Sequence, residues 1–280
     1  MINEISICFW FDGNAEQAVK FYAGVFEDAV IHSSTPIVST FSLAGRKFMA
    51  LNGGPQFSIN SSISFFVHCE MEDEIETKWK LLSEKGKTLM PLSKYPWSNK
   101  YGWCQDQFGV NWQLMMGEKT KEKIFPSLMF VDGNNGKLAE AIEFYTTLFK
   151  NSTTLLVSKY EKGEPDMEGN IKHAQFLLNN QLFAAMESSA NFNFNFNEAI
   201  SLVVTCETQD EIDFYWEHLT SNGGKEGRCG WLKDKYGVSW QIVPSILGKL
   251  MSNNPKAPKV MEAFMKMNKF DIATLENAAG

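Results

Sequence analysis

The sequence predicts an α+β protein: two tandem modules, each a pair of β-α-β-β-β motifs, followed by C-terminal helices. Three observations lead there. The stretch Gly102-Trp103-Cys104-Gln105-Asp106-Gln107-Phe108-Gly109-Val110-Asn111-Trp112-Gln113 returns 128 residues later as Gly230-Trp231-Leu232-Lys233-Asp234-Lys235-Tyr236-Gly237-Val238-Ser239-Trp240-Gln241, with seven of the twelve pairs identical. An internal repeat of that quality decides the architecture before any single residue is interpreted. Within each copy the apolar spacing switches between strand-like and helix-like. After residue 245 it is helical only.

The repeat runs through most of the chain. Phe11-Asp12-Gly13-Asn14 matches Val131-Asp132-Gly133-Asn134, and Phe48-Met49-Ala50-Leu51 matches Phe183-Ala184-Ala185-Met186. Asn60, Ile63, Ser64, Val67, Cys69 and Glu70 match Asn197, Ile200, Ser201, Val204, Cys206 and Glu207. The offset drifts from 120 to 137 and returns to 128, so insertions fall between matched blocks, as surface-loop changes should. The expected boundaries are 1–118 and 123–245 for the modules and 246–280 for the tail.

The elements follow in order. Ile5 to Phe11 is a short apolar run suited to a buried strand. Asn14 is placed to cap a helix, with Gln17 three residues later in a capping-box-like spacing, and Ala15, Ala18, Val19, Tyr22 and Phe26 recur at helical intervals. Three short strands follow near 29–34, 37–43 and 47–51, the last two joined by Ala44-Gly45-Arg46. The second motif has a strand at Ile63 to Cys69 and a helix at Glu72 to Ser83 with Ile75, Trp79 and Leu82 on one face. A hairpin then turns at Asp106 to Gly109. Module two repeats this order, with a longer hairpin across Glu161 to Gly169 and an extended link at Asn191 to Phe196. Leu89 to Asn99 adds about nine residues to module one. With Tyr95, Pro96 and Trp97 it reads either as a lid over a pocket or as a solvent loop packed by its own aromatics. In the tail, Pro258 opens a helix and Asp271 caps a second one. The tail's apolar face is expected to pack back on the modules.

Composition excludes several classes. The 280 residues suffice for about two cores. A net charge of −7 supplies no basic excess to neutralise a phosphate backbone, so nucleic acid is not an expected partner. No apolar run approaches the length of a membrane span, and no secretory signal opens the chain. Five cysteines without a C-x-x-C pair read as reduced thiols, which places the protein in the cytoplasm.

The opening Phe11-Asp12-Gly13-Asn14-Ala15-Glu16-Gln17-Ala18 with Phe21-Tyr22, the closing Asp234-Lys235-Tyr236-Gly237-Val238-Ser239-Trp240-Gln241-Ile242-Val243-Pro244 and the tail Lys269 to Leu275 resemble the PhnB-like group of the vicinal oxygen chelate superfamily. That is the superfamily of glyoxalase, bleomycin resistance and extradiol dioxygenase proteins. The resemblance implies cup-shaped mixed sheets and a site inside the cup. Such sequences often carry a 3-demethylubiquinone-9 3-methyltransferase label, but the Gly-rich strand-to-helix turn of a usual methyltransferase is absent here. It also implies four ligand positions per pair of motifs in metal-using members. These fall at about Ile7 and Ser127, Ala50 and Ala185, Ser62 and Ala199, and Gln113 and Gln241. Only the glutamines carry a donor of any use to a divalent ion, and a neutral amide alone is a poor ligand. No metal and no cofactor are therefore expected.

The candidate site residues are Gln113 and Gln241, placed in the cup, with Trp112 and Trp240 alternating into core. Glu187 is the candidate catalytic carboxylate, since it lies two residues beyond Ala185 and so on the face expected to turn into the cup. Its repeat partner is the neutral Asn52. Tyr95 and Trp97 complete the ligand-binding set. His32, His68, His173 and His218 are scattered and read as surface or hydrogen-bonded strand histidines. The expected function is binding of a small organic molecule without a catalytic metal. Alternatives are an enzyme on a small organic substrate (a lyase, an isomerase or the methyltransferase of the label) and a drug-sequestering protein of the bleomycin-resistance kind. The modules are expected to pair within the chain, with a homodimer left open.

Overall fold

The computed structural model describes residues 4–252 and 254–280. Four β-α-β-β-β motifs follow one another. The first is β1 (Ile5–Phe11), α1 (Ala15–Val25), β2 (Val30–Ser34), β3 (Val38–Leu43) and β4 (Arg46–Asn52). The second is β5 (Ile63–Cys69), α2 (Glu72–Ser83), β6 (Lys87–Tyr95), β7 (Ser98–Gln105) and β8 (Asn111–Met116). The third is β9 (Ile124–Phe130), α3 (Leu138–Leu148), β10 (Thr153–Lys159), β11 (Ile171–Leu178) and β12 (Gln181–Glu187). The fourth is β13 (Ile200–Cys206), α4 (Gln209–Thr220), β14 (Lys225–Glu226), β15 (Trp231–Lys233) and β16 (Ser239–Pro244). The tail supplies α5 (Ile246–Met251), α6 (Ala257–Phe264) and α7 (Ile272–Ala279). No described helix is long and apolar enough to cross a membrane.

The strands form two eight-stranded mixed sheets. Their orders are β14-β15-β16-β13-β1-β4-β3-β2 and β10-β11-β12-β9-β5-β8-β7-β6. The second sheet, called the inner-repeat sheet below, therefore combines the second motif with the third and partitions the chain differently from the sequence modules. Two compact units are present, Cys8–Asn195 and residues 1–7 with Phe196–Gly280. The inner-repeat sheet lies wholly within the larger unit.

The larger unit is held by an aromatic core. Phe9 meets Phe48 and Phe65 at 5.5 and 5.3 Å between ring centroids, and Tyr22 meets Phe41 and Trp112 at 6.1 and 5.4 Å. All six are essentially inaccessible to solvent, and burial of each large apolar side chain contributes roughly 1.5–3 kcal/mol. Asp106 organises this core. Its Oδ1 accepts from the N–H groups of Phe108 and Val110, which shapes the turn. Its Oδ2 accepts from Trp112 Nε1 at 2.8 Å and from the Tyr22 hydroxyl at 3.0 Å. Burial pushes the Asp106 carboxyl up to about 6 against the pull of these four donors. Asp234 repeats the device, accepting from the N–H groups of Tyr236 and Val238 and from Trp240 Nε1. The repeated Asp-x-x-Gly-Val-x-Trp is thus a turn clamp whose indole reaches back to its own aspartate. Trp112 and Trp240 are core, as alternation predicts.

Two local expectations are corrected. Asn14 makes no side-chain cap; the N–H of Ala15 is satisfied instead by Oδ1 of Asn52, from β4. The segment Leu89–Asn99 is not a loop. It is the outer part of a hairpin in which β6 pairs antiparallel with β7 through three register shifts. Only Pro96 and Trp97 form its turn.

In the smaller unit the tail packs back as expected. The N–H of Cys229 donates to the Met267 carbonyl and that of Gly230 to the Asn268 carbonyl, at 2.8 and 2.7 Å. Gln209 brackets the bend before α7, donating to the Phe270 carbonyl and accepting from the N–H of Ile272. Val260, Phe270 and Leu275 are buried, and Asp271 caps α7 through the Thr274 N–H.

Candidate functional site

The two faces of the inner-repeat sheet differ in chemistry. One is covered by helices: Phe65 and Trp112 point there, into the aromatic core. The other, open face alternates with it by the two-residue period of strands. On it Phe66, Tyr101, Phe125 and Ala184 form a buried floor, and Met90, Tyr95, Trp103, Met115 and Leu182 pack against that floor while remaining partly exposed. Cross-strand register explains the assembly. Trp103 stands opposite Gln113, Gln113 opposite Phe66, and Phe66 opposite Phe125. One row therefore crosses four strands, from β7, next to the edge strand β6, to β9 at the centre. Phe66 and Phe125 stack at 5.2 Å, and the His173 ring meets Phe66 edge-on at 5.9 Å. Burial lowers the pKa of His173, so its imidazole is neutral near pH 7.

Gln113 is the polar centre of this face. It is 1 % exposed. Its Oε1 accepts from the Tyr101 hydroxyl at 2.5 Å, and its Nε2 donates to Ser64 Oγ at 2.7 Å. Burial pushes the Tyr101 phenol well above its ordinary range, so it remains a donor. The next row places Ser64 opposite Ser127, and Ser127 opposite Ala184. In the other sheet, Gln241 Nε2 likewise donates to Ser201 Oγ at 2.9 Å. Tyr101 has Cys229 as its repeat partner, so the phenolic latch belongs to one copy alone.

The residues picked from sequence are not brought together. Gln113 and Gln241 lie on different sheets. Tyr95 packs at the edge of the open face, with its hydroxyl donating to the Pro91 carbonyl. Trp97 stacks on Tyr95 at 5.0 Å and is 59 % exposed at the hairpin tip. Glu187 and Asn52 sit on the helix-covered side, contrary to the expected facing. Glu187 Oε1 accepts from the N–H of Leu138, the first residue of α3, and Oε2 accepts from the N–H of Ile171. Asn52 does the same for α1 and also donates to the Pro36 carbonyl. The reason is register: Leu182 and Ala184 face the open side, so Ala185 and Glu187 face the helices. Both partners cap a helix N-terminus, where an anionic side chain is favourable.

The observed register also revises the ligand positions that the resemblance implied, by one residue at Ala185 and by two at Ser62. On the open face the neighbour of Ser127 is Ala184 rather than Ala185, and Ser64 rather than Ser62 meets Gln113. Ser64, Gln113, Ser127 and Ala184 offer neither imidazole nor carboxylate, and Gln113 is already engaged on both ends. This donor set does not fit a divalent ion. Among the described residues no three His, Cys, Asp or Glu side chains gather as a metal site elsewhere.

Sequence reasoning missed Ser64, Phe66 and Tyr101, and named Ser127 only as a ligand position implied by the resemblance. One signal was available. Ser64 and Ser201 recur at matched positions, as do Gln113 and Gln241, so a serine–glutamine pair on adjacent parallel strands was written twice. The cysteines do not enter the site: burial pushes Cys69, Cys104 and Cys206 up to about 12, which leaves them unreactive thiols.

The 3-demethylubiquinone-9 3-methyltransferase family model matches residues 3–115 and again 122–243. The chain belongs to that family. Its two copies of the domain account for the internal repeat. A PhnB protein from Bacillus cereus, described as a 3-demethylubiquinone-9 3-methyltransferase, is 35 % identical, with 40 % of this chain and 98 % of that one covered, at a TM-score of 0.38. Glyoxalase I from Zea mays covers far more, 89 % of this chain and 96 % of its own, at 12 % identity and a TM-score of 0.60. At that identity the likeness is one of fold, and the shared fold is the tandem β-α-β-β-β arrangement. A protein from Staphylococcus aureus is 32 % identical, covering 42 % of this chain and 99 % of its own, at a TM-score of 0.20. No curated protein matches the chain. Membership of the family that carries the 3-demethylubiquinone-9 3-methyltransferase label, expected from the opening and closing motifs, is borne out.

Proposed function

We propose that this PhnB-like protein binds a small, uncharged organic molecule on the open face of the inner-repeat sheet. The observation that supports the reading most is the composition of that face. A buried floor of Phe66, Tyr101 and Phe125 is bordered by partly exposed Met90, Trp103, Met115 and Leu182, around one fully buried amide. An apolar surface with few, fixed polar groups suits a small organic ligand. Capture requires no catalytic group, as in the drug-sequestering alternative. The enzymatic alternative loses its main candidate, because both oxygens of Glu187 are engaged by backbone N–H groups, of Leu138 and of Ile171. The methyl transfer named in the family's description lacks the Gly-rich cofactor turn in this sequence, and turnover of any bound molecule would be needed to support it.

The test uses the whole protein and a neutral planar probe, coumarin, in equilibrium dialysis. Met115 is partly exposed, so Met115→Glu adds a charge to the face without emptying the core. Wild type should bind and M115E should lose at least about tenfold in affinity. Failure of wild type to bind, or equal binding by M115E, contradicts the assignment of the face.

A further inference from the structure

The open face of the inner-repeat sheet carries two polar atoms that the protein leaves unsatisfied. The Trp103 indole Nε1 and the Ser127 hydroxyl are both shielded from water, and neither has a hydrogen-bond partner among the described residues. Leaving a buried donor unpaired costs about 1–3 kcal/mol, and native proteins rarely accept that cost without a use. Ser127 is 1 % exposed, and its cross-strand neighbours are the short side chains Ser64 and Ala184. Ser64 already accepts from Gln113. The indole N–H is a donor only and cannot be turned to accept. The row that contains it runs through Gln113, Phe66 and Phe125, none of which ionises near neutral pH.

We propose that this face selects a planar, uncharged ligand bearing a hydrogen-bond acceptor, such as a carbonyl or ring ether oxygen, and that the acceptor takes the Trp103 indole N–H. The proposal rests on the binding reading above and sharpens it to a ligand class. Each alternative chemistry meets a specific penalty. A carboxylate would be desolvated on a face whose central row offers no cation. A purely apolar ligand would leave the indole donor unpaired. Access requires the rim side chains to move, because the floor residues are 5 % exposed or less. Met90 stands opposite Trp103 in β6, and both Met90 and Met115 are partly exposed, unbranched thioethers that can repack around a guest. Ser127 supplies a second donor on the neighbouring row, and the aromatic floor supplies stacking area.

Three probes of similar outline separate these contributions: coumarin (neutral, with a lactone carbonyl), naphthalene (no acceptor) and coumarin-3-carboxylate (anionic). Equilibrium dialysis against the full chain, as wild type and as Trp103→Phe, reads all three. W103F keeps an aromatic ring and removes the N–H. Wild type should bind coumarin about tenfold more tightly than naphthalene or the carboxylate, in line with one buried hydrogen bond. W103F should lose that advantage for coumarin while holding naphthalene as before, and unchanged naphthalene binding verifies that the variant is folded. Equal binding of coumarin and naphthalene by wild type, or an equal drop for both in W103F, overturns the acceptor proposal and leaves the binding reading standing. Absence of binding by all three probes to wild type overturns both.

Discussion

Gly102 and Gly230 are repeat partners, and each is pressed by an aromatic ring from a different source. At Gly102 a Cβ would lie 2.6 Å from the Trp79 ring of α2, with the Leu92 backbone also close. At Gly230 it would lie 2.4 Å from the ring of Phe270, which arrives from the tail. The strand that flanks the first glycine is the nine-residue β6; its counterpart β14 has two residues. In the first copy a local insertion thus completes the sheet edge, and in the second copy a distant segment does so. The local solution also brings Met90 and Tyr95 to the open face, whereas the tail brings backbone carbonyls and one buried phenylalanine. The copies share clamp, turn and core; they diverge at the edge, which borders the candidate ligand surface through Met90 and Tyr95.

The largest expected effect tests the tail's half of this comparison. Phe270→Ala should destabilise the protein by roughly 3–5 kcal/mol, as for other large buried side chains. Faster hydrogen exchange should appear in β15 and β16, with β6 to β8 unaltered; an equal rise in β6 to β8 would show that the tail does not act locally. Next come the glycines themselves. Both Gly102→Ala and Gly230→Ala create overlaps costing about 1–3 kcal/mol, but Gly230 also has a φ of +80°, adding about 1 kcal/mol or more of backbone strain. Urea denaturation should therefore rank G230A as the less stable variant, and the reverse order would refute the account of Gly230.

Asp106 gives a pH-dependent prediction of intermediate size. Its folded pKa of about 6 lies above the ordinary value near 3.9. Its contribution to stability is then fully present below about pH 4 and is lost as the pH rises through 6. Wild type measured against Asp106→Asn should lose about 2–3 kcal/mol of relative stability between pH 4 and pH 7.5. A flat difference would mean that the four donors hold the carboxylate ionised throughout. The smallest effect concerns the latch. Tyr101→Phe should cost about 1 kcal/mol through the lost hydrogen bond to Gln113. Cys229→Ala at the matching position should leave Gln241 undisturbed, and side-chain amide NMR signals report on both.

Much of the fold was legible because the repeat and the two periodicities agreed. Strand β5 and helix α2 fall where apolar spacing places them, Ile63–Cys69 and Glu72–Ser83. The hairpin at Leu89–Asn99 was not legible, since Pro91, Pro96 and a run of polar residues argue for a loop, and only pairing with β7 stabilises it as a strand. The site was half legible. Alternation correctly separated Gln113 from Trp112, but in β12 it had no internal anchor, and an error of one residue turned Glu187 to the wrong face. Tyr101 escaped notice because its partner in the other copy is cysteine, so the repeat gave it no emphasis. Asn14 failed as a cap because Asn52, distant in sequence, reaches the helix first.

The central claim is that the open face of the inner-repeat sheet is the binding surface, and the indole N–H signals of the eight tryptophans report on it directly. Titration of the isotopically labelled protein with coumarin should move the Trp103 signal progressively to saturation and leave its repeat partner Trp231 in place. Movement of Trp231 ahead of Trp103, or no movement of Trp103 at saturation, would contradict the claim.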